Sequence, residues 1–140
     1  MSTRSRIGII NQDGSVDSVW QHWDGYPEHT GAHLLADHNS EEKARALVAQ
    51  GDRDTIERPY GPEDYETPED YEAGRHPRHD ANEDEFWEHF GDEWEEYAYL
   101  WRPGRGWEVT GAGMTAKLDQ VEDATDGCRE ILAKREKDTQ

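Results

Sequence analysis

A single cysteine, four lysines and no long apolar run stand out in the 140 residues. One thiol, Cys128, excludes an internal disulfide and any multi-cysteine zinc site. No stretch approaches the ~20 apolar residues that a membrane-spanning helix needs, and the opening MSTRSRIGII is too short an apolar run for a secretory signal. Glycine-rich phosphate cradles of the GxGxxG or Walker type are missing. Aliphatic residues are scarce too: Leu, Ile, Val and Phe together make up 18 residues. In a strongly charged chain that composition normally signals disorder, because too little apolar area can be buried to offset chain entropy.

What is abundant pushes the other way. Six Trp and six Tyr each bring roughly 150–250 Å² to bury, which predicts one small, aromatic-rich domain over 1–140. Lys and Arg number 15 against 33 Asp and Glu, a net charge of −18. Such a surface repels phosphate and argues against direct nucleic-acid binding.

Local patterns then give the element order. RSRIGII (4–10) and VDSVWQHW (16–23) flank the turn residues Asn11-Gln12-Asp13-Gly14 and read as a β-hairpin. Pro27 suits the first position of a helix over 28–38. A second helix at about 41–50 has Ser40 as N-cap and Gly51 as C-cap. Residues 57–80 contain four prolines, no aliphatic side chain larger than alanine, and the repeat PEDYET/PEDYEA. They read as an acidic, proline-rich surface loop inserted between the two halves of the domain. Asn82 with Glu85 resembles a capping box opening a helix over 83–90. EEYAYLW (95–101) and WEVTG form a second hairpin, and a final helix is expected from a Thr115 cap, with Leu118, Val121, Thr125, Cys128 and Leu132 inward. The expected architecture is α+β: an antiparallel sheet of about four strands in two hairpins, with helices on one face.

Three features carry chemistry. HWDGYPE places His22, Trp23, Asp24 and Tyr26 at a strand-to-helix corner. His22 and Asp24 share a face if the strand persists and would then form a proton-transfer pair, with Trp23 and Tyr26 as a stacking platform for a nucleotide-like ligand. The competing reading is that the rings pack and Asp24 makes a turn. His29 and His33 lie one helical turn apart, as metal ligands do, but no HExxH pattern accompanies them. They read as a solvated helix face, and no metal, cofactor or catalytic residue is assigned. The third feature is charge. Glu83, Asp84, Glu85, Glu88, Asp92, Glu93, Glu95 and Glu96 occur without one Lys or Arg among them and are interleaved with Phe86, Trp87, Phe90 and Trp94. Duplex DNA carries one charge per ~1.7 Å of axis. Eighteen net charges on a body roughly 30–35 Å across approach that density. Adaptation to high salt, or a surface serving only solubility, accounts for the same composition.

The N-terminal third, MSTRSRIGI, DGSV, HWDGYPE, Gly31, Leu34-Leu35, His38 and Leu47 to Asp52, resembles a family of short proteins encoded by tailed phages and prophages. Trp20 stands where that family often has Tyr. The resemblance covers about residues 2–54, with a weaker echo in ANEDEF, EEYAYLW and GWEV. It implies a small protein acting on host machinery in the host cytoplasm, and implies no activity. The leading expectation is a non-enzymatic accessory protein that binds a basic surface, such as the nucleic-acid groove, of a host or defence protein through an acidic, aromatic-lined face. The alternative is a small-ligand binder or enzyme using the HWDGYP corner.

Overall fold

A computed structural model describes residues 2–139. The described residues form one mixed sheet of eight strands together with five α-helices. Its frame is the pair of expected hairpins. Strand β1 (Arg4–Ile10) pairs antiparallel with β2 (Val16–Gln21), and the turn between them closes with Asn11 N–H to Ser15 O at 2.8 Å.

The helix α1 (Ala32–Asp37) follows a π-helical turn at Pro27–Gly31. Helix α2 (Glu41–Val48) starts where Ser40 Oγ accepts from Lys43 N–H at 3.2 Å, as a serine N-cap does. The short strands β3 (Arg53–Thr55) and β4 (Arg58–Pro59) then extend the sheet beyond β2.

After helix α3 (Pro68–Gly74) come β5 (Arg78–Asp80), which pairs with β2, and helix α4 (Glu83–His89). Strands β6 (Glu95–Arg102), β7 (Gly106–Gly111) and β8 (Met114–Lys117) form an antiparallel meander. Helix α5 (Glu122–Asp138) ends the fold.

The α+β class stands, but the sheet differs from the four-stranded antiparallel one expected. The two hairpins join through a parallel pairing of β1 with β6, with Ile7 opposite Tyr99. The helices occupy both faces. On one, Ile7, Ile9, Val19, Tyr99, Trp101 and Val109 pack against Leu34 of α1, Leu47 of α2 and Ala124 of α5. On the other, Ile10, Val16, Ala98 and Leu100 meet Phe86 of α4, with Trp87 and Phe90 beside it. The alternation of β1 explains this. Ile7 and Ile9 turn toward the first face, and Ile10 supplies the second.

Two local expectations also change. Residues 57–80 contribute β4, α3 and β5 rather than a plain loop, and Tyr60, Tyr65 and Tyr71 pack ring against ring with 5.8 Å between successive centroids. Thr115 lies in β8 and not at a helix start, so Leu118 is buried before α5 begins while Leu132 is exposed. Among the described residues no helix is long and apolar enough to cross a membrane.

Candidate functional site

Between α4 and β6 the chain makes a tight turn, Gly91 to Glu95, at one end of the sheet. A register shift between Arg4 and Ser5 opposite the start of β6 is a β-bulge, which re-aims side chains locally. It turns Glu95 to the Arg6 side of the sheet, and the two meet at 2.9 Å between Arg6 Nε and Glu95 Oε2. The other carboxylate oxygen of Glu95 accepts from the Gly91 and Glu93 backbone N–H groups at 3.1 and 2.9 Å. Arg6 also donates to Ser18 Oγ at 3.2 Å and approaches Glu93 Oε1 at 3.4 Å. The Glu93 carbonyl accepts from Trp20 Nε1 at 3.2 Å. The turn is thus tied to the sheet at several points.

Its tip is Trp94. The residue sits at φ 70°, in the left-handed region, and is 76% exposed. Both features cost free energy. A left-handed L-residue is disfavoured by about 1–2 kcal/mol, and an exposed indole forgoes the burial that the other tryptophans of the sheet obtain.

The eight acids divide around this tip. Asp84, Glu88, Asp92, Glu93 and Glu96 are exposed. Glu83 is half-buried and receives two hydrogen bonds from the Arg102 guanidinium, at 2.7 and 2.9 Å, which hold its carboxyl below the usual range. Glu85 is half-buried and caps α4 by accepting from Ala81 N–H at 3.0 Å. Glu95 is buried and belongs to the interior, a correction to its expected place on the acidic face. The rings divide as well: Phe86 and Phe90, four apart on one helix face, turn to the sheet with Trp87 beside them, as their spacing predicts, and Trp94 is the ring that projects.

The HWDGYP corner is built differently from a proton-transfer pair. Strand β2 stops at Gln21 and Asp24 takes φ 57°, so His22 and Asp24 do not continue one strand face. The Asp24 carbonyl accepts from Thr30 Oγ1 at 2.6 Å, and that hydroxyl accepts from Gln21 Nε2 at 2.7 Å. The buried Tyr99 hydroxyl donates to the Gly25 carbonyl at 2.6 Å. His22 stacks on Trp23 with ring centroids 4.4 Å apart, and its Nδ1 lies 3.4 Å from the Tyr60 hydroxyl. Tyr26 lines a cavity of about 400 Å³ with Glu28, His29, Asp126 and Glu130. The corner's observed interactions are mainly with the fold itself.

One grouping was not foreseen. The turn between β3 and β4 carries Glu57 to the imidazoles of His29 and His33, which leave the solvated face expected of them. Glu57 Oε1 is 3.9 Å from His29 Nε2 and 3.5 Å from His33 Nε2. On its other side His33 Nδ1 lies 3.6 Å from Asp37 Oδ2. Burial, and secondly the neighbouring His33, push the His29 imidazole below its ordinary pKa. No spacing rule links positions 29 and 57; the sheet brings them together.

Comparison with protein families, curated proteins and solved structures finds no match for this chain.

Proposed function

We propose that this chain is a non-enzymatic accessory protein of the phage type, which binds a basic surface of a host or defence protein in the host cytoplasm. The supporting observation is Trp94, an indole held out in solvent on a strained residue, with exposed Asp92, Glu93 and Glu96 beside it. Interface energy concentrates in a few aromatic anchors, and an anchor held in place before binding loses less entropy on association. Charged neighbours steer the partner and select its sign. The net charge of −18 sets that sign as basic. The phage context rests on the STRSRIG and HWDGYPE spelling.

The rival reading, a small-ligand site at the HWDGYP corner, has less support. It calls for an open imidazole, and His22 is covered by Trp23 and Tyr60.

Affinity capture from native-host lysate tests the proposal. A nucleic-acid-binding or otherwise basic protein should be retained at low salt and released at moderate salt, as screening over ~10 Å at 0.1 M requires. Reversing two exposed acids, Glu88→Lys with Asp92→Lys, should abolish capture without unfolding the chain. Capture of nothing basic, or capture indifferent to both salt and charge reversal, would count against the reading.

A further inference from the structure

We propose that His29, His33 and Glu57 form a binding site for a divalent transition-metal ion of the zinc class. The π-helical turn and α1 present the two imidazoles side by side, with ring centroids 4.9 Å apart. The β3–β4 turn adds the carboxylate from a different part of the chain. One ligand atom from each residue falls within a common 4.8 Å span. Tetrahedral zinc, with ligands at 2.0–2.1 Å, places ligand atoms about 3.3–3.5 Å apart. The His33–Glu57 separation of 3.5 Å is already at that spacing, and the His29–Glu57 separation of 3.9 Å needs a small contraction. Glu57 is exposed and His29 half-buried, so both side chains have room to rotate.

The outer contacts suit the same ion. A metal-bound histidine generally donates its other ring N–H to a carboxylate, which fixes the tautomer and orients the ring. Asp37 stands beside His33 Nδ1 for that role, and Asp37 is itself held by Arg135 Nη2 at 2.8 Å. A cavity of about 480 Å³, lined by His33, Asp37, His38, Arg53, Glu57 and Arg135, opens beside two of the three ligands, His33 and Glu57. It gives room for a water molecule to complete the coordination of an ion held there. Two imidazoles with one carboxylate favour zinc, cobalt, nickel or copper over magnesium or calcium, which prefer sites made of oxygen alone. That preference separates this site from the many exposed carboxylates of an acidic surface.

Titration of the full chain with Zn²⁺ and Co²⁺, in a large excess of Mg²⁺ to occupy carboxylate-only sites, tests the proposal. We expect one tightly held ion per chain, a melting temperature that climbs with Zn²⁺ concentration by mass action, and the visible absorption of four-coordinate Co²⁺. His29→Ala with His33→Ala should remove the ion. Glu57→Gln, an exposed change that spares the fold, should weaken binding tenfold or more. Asp37→Asn should weaken it about 10–100-fold. His89→Ala, which breaks the separate Asp80, Glu85 and His89 grouping, should leave binding unchanged. No saturable binding in the presence of Mg²⁺, wild-type affinity in a folded His29/His33 variant, unchanged affinity in Glu57→Gln, or loss of the ion in His89→Ala would overturn the assignment.

Discussion

Arg6 and Glu95 pair inside the sheet at 2.9 Å, with only 3% of the arginine side chain and 0% of the glutamate side chain exposed. The pair joins the centre of β1 to the start of β6, and through the second carboxylate oxygen it holds the turn that carries Trp94. Removing one partner strands a buried charge. Glu95→Gln should therefore destabilise the fold by about 3–5 kcal/mol, while Arg6→Met with Glu95→Met should recover much of the loss. Urea denaturation of wild type and the two variants checks this.

The same pair sets a pH dependence. Burial pushes the Glu95 carboxyl up, but the Arg6 hydrogen bond and the backbone amides together outweigh it, and the group titrates below its ordinary value. A folded-state pKa below the unfolded one contributes stability at neutral pH that is lost as the pH falls through the folded value. The gap in unfolding midpoint between wild type and Glu95→Gln should therefore narrow on acidification.

Asp52 carries the opposite sign. Burial is the largest influence on it and raises its carboxyl, although Trp20 N–H donates to Oδ1 at 2.8 Å. With a raised folded-state pKa, stability falls as the pH rises through that value. Asp52→Asn retains an oxygen acceptor and cannot ionise. It should be more stable than wild type at neutral pH, with the advantage vanishing in acid, as melting curves at the two pH values will show.

Gly51 tests how firmly residues 57–80 are attached. It lies at φ +82°, and a Cβ there would come within 2.3 Å of the Arg75 carbonyl oxygen, beside the Asp52 N–H to Gly74 O hydrogen bond of 3.1 Å. Gly51→Ala should cost about 1–3 kcal/mol from backbone conformation alone, with the clash in addition. Limited proteolysis should then cut within 57–80 before the rest of the chain.

What could be read from the sequence was local. The turn residues between β1 and β2, the Ser40 and Asn82 caps and the alternating rings of Tyr97, Tyr99 and Trp101 each carry their signal within a few residues, and each is found. The parallel pairing of Ile7 with Tyr99 leaves no such trace, because parallel strands need a long crossover and their register is set in three dimensions. Strand β5, Arg78–Asp80, is short and charged, and it is a strand only because β2 offers it hydrogen bonds. The β7–β8 hairpin did have a signal. Ala112 and Gly113 both take positive φ, at 51° and 79°, the demand of a tight type I′ turn, and GAG at 111–113 was compatible with it. Of the acidic run, the burial of Glu95 follows from a bulge that spelling does not reveal. Trp94 shows as an aromatic among acids, but not as the one held outside.

Binding of the captured basic partner to wild type and to Trp94→Asn shows whether the exposed indole anchors that partner. Asparagine tolerates the left-handed conformation that Trp94 adopts at φ 70°, so the variant should match or exceed wild type in thermal stability. An aromatic anchor typically contributes at least about 2 kcal/mol, so its affinity should fall roughly thirtyfold, mostly through faster dissociation. A folded Trp94→Asn protein that binds the same basic partner as tightly as wild type would show that Trp94 is not the anchor of a binding face.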